Sequence, residues 1–198
     1  MVFAIMTTLV AVGVVGRFSI HYTTPEIVET DQPVWMKDLT QPVRDEPTRF
    51  RARSYKPNLR EGKASGSIGT GAFLAKYDLV RVEDSRVWWE SEHDKNDTED
   101  DHIMHRSIEE PFRRLIELMD KSGGRLKVQD AYRDEGVHAR KSLHKEGRAL
   151  DLTSEGVSLE KLAKLCWAAG FDWVYYESPK RGGAHVHVSV RPTRQDGH

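Results

Sequence analysis

The sequence predicts an α+β domain, because two amphipathic helices and several short strands follow one another within its 198 residues. One helix is expected to begin at Ser107 and the other to run from about Ser158 to Ala169. Residues 172–177 and 185–190 form a pair of strand-like runs with a turn between them. A chain of this length suffices for one well-buried domain with an additional arm.

The first helix carries a start signal, an apolar stripe and a stop signal. Ser107 and Glu110 are spaced as a capping box, and Pro111 falls in the first turn, where its missing N–H costs little. The stripe consists of Ile108, Phe112, Leu115, Ile116 and Met119. Gly123 and Gly124 provide the stop.

The second helix has the same three signals. Ser158 can cap its start, and Gly170 can end it. Its apolar face comprises Leu159, Leu162, Leu165, Cys166 and Ala169. We therefore expect Cys166 to pack in the core rather than to act as a nucleophile.

Strands are predicted where apolar and polar residues alternate. Earlier in the chain these runs are 77–82, 87–89 and 125–132. In 185–190 the three valines share one face, and the other face carries His185, His187 and Ser189. The valine face belongs to the core, so the histidine face points to a cleft or to solvent.

Composition excludes several classes of protein. The formal net charge is -1, which argues against a general nucleic-acid-binding protein. The single cysteine rules out an internal disulfide and a cysteine-rich zinc finger.

The two ends of the chain are interpreted separately from the domain. Residues 1–16 are almost wholly apolar and can be a secretory signal core, a short membrane anchor or a buried strand pair. Together with an arm that contains several prolines, this apolar segment makes up residues 1–53. The domain is predicted to cover residues 54–190, followed by a tail at 191–198. The oligomeric state is not predicted.

Potential metal ligands lie on the faces of two strands that point away from the core. Asp151 shares a face with Ala149, whereas Leu150 and Leu152 face the core. The histidine strand offers a second ligand, and His144 on the preceding loop can complete a set of three. Three protein ligands with a fourth position left open are typical of catalytic zinc.

Nearby polar residues can take part in hydrolysis. Glu177 ends the strand expected to pair with the histidine strand, and it can move a proton from the attacking water to a leaving amine. His138 or Arg133 can stabilise the oxyanion that forms on a peptide carbonyl.

Each of these residues also has an ordinary structural explanation. A single His-x-His is weak evidence for a metal, Asp151 can cap a turn, and Glu177 can be an exposed acid. Spacing alone leaves the metal site open. The acidic stretch 90–101 fits either a solvated loop or a calcium site.

Three motifs resemble the signalling domain of hedgehog proteins, in the same order and at matching spacing. They are Ser142–Asp151 (SLHKEGRALD), Gly170–Ser178 (GFDWVYYES) and Ala184–Val190 (AHVHVSV). Upstream, Lys56–Glu61 (KPNLRE) and Ala64–Gly66 (ASG) are similar to the opening of that domain. The resemblance covers roughly residues 54–190.

The same pattern is similar to zinc D-Ala-D-Ala carboxypeptidases and murein endopeptidases. The resemblance implies a compact mixed sheet with two main helices on one face and a zinc cleft on the other. It implies that the zinc ligands are His144, Asp151 and His187. It further implies that Glu177 is the general base and that His138 and His185 line the site.

Other positions match or depart from these families. Tyr132-Arg133 resembles the Tyr-Arg stretch of the carboxypeptidases, whose arginine stabilises the tetrahedral intermediate; Tyr132 and Ser142 are assigned to substrate binding. In animal hedgehogs an acidic cluster binds calcium; here Asp101, Asp130 and Glu135 remain, whereas Arg133 replaces an acid. Calcium is therefore kept as a second candidate ion beside zinc.

The departures favour a microbial zinc peptidase that acts on peptidoglycan stem peptides. The lipidated cysteine and the self-splicing domain of the hedgehog signal are not found in the sequence. A cell-wall substrate implies a periplasmic, cell-surface or secreted protein. The alternative is a non-catalytic hedgehog-like zinc or calcium domain used for protein recognition.

Overall fold

The computed structural model describes residues 37–94, 99–134, 141–179 and 183–193. It confirms the predicted α+β class, with a six-stranded mixed sheet and two longer helices. The apolar segment 1–16 lies outside the described residues, as does most of the tail. Nowhere in the described ranges is there a helix long and apolar enough to span a membrane.

Within these ranges the strands are short and the two main helices follow the predicted places. The strands are β1 (Tyr55–Lys56), β2 (Leu79–Arg81), β3 (Trp88–Trp89), β4 (Ile103–His105), β5 (Arg125–Asp130), β6 (Ala149–Glu155), β7 (Trp173–Glu177) and β8 (His185–Ser189). The helices are α1 (Glu61–Ala64), α2 (Ala75–Asp78), α3 (Arg106–Lys121) and α4 (Leu159–Ala169).

The main sheet has the order β1-β7-β8-β6-β5-β3, and β2 pairs with β4 in a separate ribbon. Among the described strands, β3 and β5 run parallel, whereas the other neighbours in the sheet are antiparallel. On one face, Leu150, Leu152, Val186 and Val188 are buried with the apolar sides of α3 and α4. The alternate residues of β6 and β8 therefore face the opposite side, where the site lies.

Helix α4 begins and ends as predicted from local signals. The Ser158 hydroxyl accepts a hydrogen bond from the Lys161 N–H at 3.2 Å, and Gly170 ends the helix at a φ of 108°. Cys166 is fully buried, and burial raises the pKa of its thiol, as expected of a core residue.

Most predicted strands are shorter by one or two residues at an end, as in β5, which ends at Asp130 rather than 132. Two further boundaries are wrong because a side chain binds a backbone group nearby. Helix α3 begins at Arg106 rather than Ser107, since the His105 imidazole accepts a hydrogen bond from the Ser107 N–H at 3.1 Å. Tyr77 and Asp78 are helical rather than extended, and the Asp78 carboxylate accepts from the Leu74 N–H at 2.6 Å.

Part of the predicted arm packs on the domain. The Phe50 side chain is 1% exposed and belongs to the core. The Val43 N–H donates to the Ala168 carbonyl at 2.9 Å, at the end of α4. The domain limits 54 and 190 themselves stay a prediction.

The cap at His105 makes stability depend on pH. Burial lowers the pKa of His105 from 6.5 to about 4, so between these values the unfolded chain binds the proton and the folded chain does not. Stability must therefore rise with pH across this window and be unaffected by His105 above it. The wild type should lose about 2 to 3 kcal/mol between pH 7 and pH 4.5 through this residue.

The measurement is urea unfolding at both pH values with a chelator present. His105→Asn is the matched variant, because asparagine keeps a capping oxygen but does not titrate. Other groups titrate alike in both proteins, so the difference between their pH profiles isolates His105. Identical profiles would contradict the prediction.

Candidate metal centre

Antiparallel pairing of β6 and β8 places two of the predicted ligands side by side. Asp151 is directly opposite His187 in the register. The His187 Nδ1 lies 2.7 Å from the Asp151 Oδ1. Their sequence neighbours Leu152 and Val186 are fully buried on the core face, so strand alternation alone directs Asp151 and His187 to the other side.

A short 3-10 turn, Leu143–Glu146, presents the third ligand. The Ser142 hydroxyl accepts a hydrogen bond from the His144 N–H at 3.4 Å at the start of this turn. Gly147 ends it at a φ of 64°, and a Cβ there would lie 2.8 Å from the His105 backbone nitrogen. Glycine is therefore required at 147 for the turn to enter β6 at this angle.

The three ligand atoms form one compact group. One ligand atom each from His144, Asp151 and His187 lies within 4.8 Å of the other two. The His144 Nε2 is 3.5 Å from the Asp151 Oδ1, and His144 is 1% exposed. The structure thus confirms that the predicted set is one group able to hold a metal ion.

The remaining ring nitrogen of each histidine is anchored by an oxygen. The His144 Nδ1 donates to the Ala131 carbonyl at 2.8 Å, and the His187 Nε2 donates to the Glu61 carboxylate at 2.8 Å. Such anchors orient metal-binding imidazoles and set their tautomer. They assign the Nε2 of His144 and the Nδ1 of His187 to the metal.

Two carboxylates, those of Asp151 and Glu61, lie against the His187 imidazole. Burial lowers the pKa of His187, but the carboxylates of Asp151 and Glu61 outweigh it and raise the pKa to about 10. Burial raises the pKa of Asp151, yet His187 and His144 hold it well below its usual range. Without metal His187 is therefore a cation, and a metal at its Nδ1 has to displace a proton.

Comparison with known proteins identifies the family. The model of the hedgehog amino-terminal signalling domain matches residues 41–189. The chain belongs to this family. It is 40% identical over 103 residues to Indian hedgehog B protein of Danio rerio, covering 50% of this chain and 24% of that protein.

Two further hedgehog relatives show a similar level of identity. Indian hedgehog protein of Xenopus laevis is 33% identical over 162 residues, which are 75% of this chain and 38% of the relative. Protein hedgehog of Drosophila hydei is 33% identical over 103 residues, which are 50% of this chain and 21% of the relative. The chain thus spans between about a fifth and two fifths of these curated hedgehog proteins.

In this hedgehog domain two of the predicted catalytic residues adjoin the ligand group. Glu177 and His185 are opposite each other in the β7–β8 pairing. The His185 Nε2 lies 3.6 Å from the Glu177 Oε2 and 3.7 Å from the Asp151 Oδ1. The imidazole thus lies beside the ligand Asp151 and the acid lies beside that imidazole, and their catalytic roles stay a prediction.

Other predicted residues lie next to acids or outside the described ranges. The Arg133 guanidinium is 2.7 Å from the Glu99 carboxylate and 2.8 Å from that of Asp130. Asp101 is buried, and its Oδ2 accepts from the Ser91 N–H at 2.9 Å. The oxyanion role of Arg133 and the calcium site stay predictions.

The predicted residues Glu135 and His138 lie outside the described residues. Tyr132 packs near Phe73, with 6.4 Å between ring centroids, and burial raises its pKa. Ser142 caps the turn that carries His144. Substrate contacts of Tyr132 and Ser142 remain untested.

Sequence reasoning missed Glu61. It lies in the Lys56–Glu61 motif, but it is 126 positions from His187, and no local pattern connects the two. Burial raises the pKa of Glu61, but the hydrogen bond and charge of His187, together with smaller contributions from Ser189 and His144, outweigh burial and lower it, so the carboxylate is ionised. Its negative charge makes the His187 imidazole a better metal ligand.

Replacing Glu61 by Gln should weaken zinc binding about 10- to 100-fold, the usual cost of losing such an anchor. The amide keeps the size and a hydrogen-bond acceptor but loses the charge. Calorimetric zinc titration measures the change, with Glu83→Gln as a control, because Glu83 pairs with Arg81 at the surface. Equal affinity in wild type and Glu61→Gln would contradict the assignment.

Proposed function

We propose that this chain is a hedgehog-type domain that binds one zinc ion and uses the metal centre to recognise a protein partner. His144, Asp151 and His187 would hold the ion, with Glu61 behind His187. The observation that carries the proposal is the anchored set of two imidazoles and one carboxylate within 4.8 Å. Membership of the signalling-domain family supports recognition as its use.

The donor set fits zinc better than the hard cations. Two nitrogens and one oxygen are usual zinc ligands, whereas calcium and magnesium take oxygen ligands almost exclusively. Three protein ligands also leave one position that a group from a partner can fill.

Zinc titration of the metal-free protein tests the proposal. We expect one zinc per chain and a rise in the unfolding temperature, because an ion that binds only the folded state stabilises it. At a zinc concentration 100 times Kd the gain is about 2.7 kcal/mol. Calcium and magnesium serve as control ions. Stabilisation by magnesium equal to that by zinc would contradict a zinc site.

A zinc peptidase is the second candidate, supported by the position of Glu177 beside His185, whose imidazole in turn lies near Asp151. Zinc would supply a Lewis acid for the scissile carbonyl. Glu177 would take the proton of the attacking water and give it to the leaving amine. The resemblance to D-Ala-D-Ala carboxypeptidases and murein endopeptidases suggests peptidoglycan stem peptides as substrate.

A mass-spectrometric digest of purified muropeptides decides between the two functions. A peptidase removes a terminal D-Ala or cuts a cross-link, and Glu177→Gln abolishes turnover while zinc stays bound. No cleavage by protein that holds one zinc per chain leaves recognition as the function. Normal turnover by Glu177→Gln would refute the role of Glu177.

The proposal also includes a candidate calcium site and a location outside the cytoplasm. A calcium titration tests the acids around Asp101 and Asp130, where heat or stabilisation would indicate a second ion. We propose the periplasm, the cell surface or the outside of the cell as the location of the protein, which a cell-wall substrate would require. Residues 1–16 would serve that route if they are a signal or an anchor, which are two of the three interpretations of this segment.

A further inference from the structure

A cavity of about 460 Å³ lies beside the metal centre, and three basic residues are among those that line it. One wall comes from α1 and its flanks, with Arg60 and Lys63; the other comes from the turn that precedes β6, with Lys141. The half-buried Ile68 adds an apolar surface, and Leu143 also borders the cavity although its side chain is almost fully buried. The volume falls in the range of sites that take small ligands or short peptide segments.

The cavity has a net positive charge. Glu61 is the acid among its lining residues, and its carboxylate is already bound to His187. Within the described ranges, no ion pair involves Arg60, Lys63 or Lys141. These three cations therefore have no carboxylate partner among the described residues. Because the cavity between them is partly apolar, it suits an anionic group carried on an aliphatic stem.

Two lining residues connect this cavity to the proposed zinc ligands. Glu61 contacts His187 directly, at 2.8 Å. Leu143 precedes the ligand His144 in the same short turn. A segment that occupies the cavity therefore also lies close to the metal centre.

We propose that this basic cavity binds a carboxylate of a partner's peptide segment next to the metal centre. The inference rests on the proposed recognition function and adds the chemistry of the partner. The carboxylate is either an acidic side chain or a chain terminus. Sulfated polysaccharide suits the cavity less well, because the partly exposed Ile68 offers apolar surface that an aliphatic stem can cover.

Fluorescence anisotropy with three labelled peptides tests the inference. One ends in Gly-Leu-Asp amide, one in Gly-Leu-Asn amide and one in Gly-Leu with a free carboxylate. Tighter binding of the first identifies a side-chain carboxylate, and tighter binding of the third identifies a terminus. Equal affinity of all three peptides for the protein would overturn the inference.

The double variant Lys63→Gln/Lys141→Gln should weaken the preferred peptide about tenfold, because one exposed charge pair contributes up to roughly fivefold. Added salt should weaken binding to the wild type more than to the variant. Lys76→Gln is the control, since Lys76 lies over the Tyr77 ring on α2 and does not line the cavity. Unchanged peptide affinity in the double variant would overturn the inference. It would also be overturned if no peptide bound and a sulfated polysaccharide bound the wild type but not the double variant.

Failure of this inference can be separated from failure of the proposed function. Both lysines are exposed and bind no metal, so zinc stoichiometry of the double variant should equal that of the wild type. One zinc per chain with no preference among the peptides refutes only the cavity. Absence of zinc binding refutes the metal proposal. Peptide binding to the cavity can still be measured in that case, with metal-free protein.

Discussion

We expect Asp151→Asn to abolish stoichiometric zinc binding while the domain remains folded. The Asp151 Oδ1 is the atom that both histidines approach, at 2.7 Å from His187 and 3.5 Å from His144. The amide removes the negative charge and offers one neutral oxygen, a poor zinc ligand. We expect the affinity to fall at least about 100-fold, beyond the usual loss for an outer anchor.

Competition with a chelator of known affinity measures this loss. Asp120→Asn makes the same chemical change at the exposed end of α3 and should bind zinc as the wild type does. Circular dichroism checks the fold, because Asp151→Asn also removes the charge that faces protonated His187. Zinc bound as tightly by Asp151→Asn as by the control would refute the ligand set.

Arg148→Met should destabilise the domain by about 3 to 5 kcal/mol, the usual cost of leaving one buried charge without its partner. Arg148 is fully buried and binds the Glu146 carboxylate at 2.6 Å. It also donates to the Ser65 carbonyl at 2.6 Å and to the Val190 carbonyl at 3.0 Å. The variant leaves the Glu146 carboxylate buried without its guanidinium partner, with the Gly69 N–H still donating to it.

Chemical denaturation of metal-free protein gives the size of this effect. Arg81→Met is the control, since Arg81 forms exposed pairs with Glu83 and Asp100 and its loss should change stability by at most about 1 kcal/mol. Glu146→Gln/Arg148→Met should recover part of the loss, because no unpaired charge remains. If Arg148→Met and Arg81→Met lose equal stability, the buried pair is not a structural anchor.

The sequence was informative wherever short-range rules operate. Helix α4 followed from its cap at Ser158 and its glycine at 170, both of which act on neighbouring backbone groups. The faces of β6 and β8 followed from alternation, so Asp151 and His187 were assigned to the non-core side correctly. The start of α3 was wrong because His105, a residue seldom considered as a cap, took the place assigned to Ser107.

The sequence by itself determined the α+β class and the second helix, because periodicity and capping signals are local properties of the chain. Strand alternation put Asp151 and the histidines of β8 on the non-core face, but the choice of His144, Asp151 and His187 as the metal-binding set came from the family resemblance. Only the tertiary structure decided which groups surround them. Glu61 reaches His187 across 126 positions, and Arg133 meets Glu99 across 34. Such contacts form only when distant elements of the chain pack together. Their stability depends on burial and on the pairing of charges in the folded protein, and a local residue pattern does not reveal either.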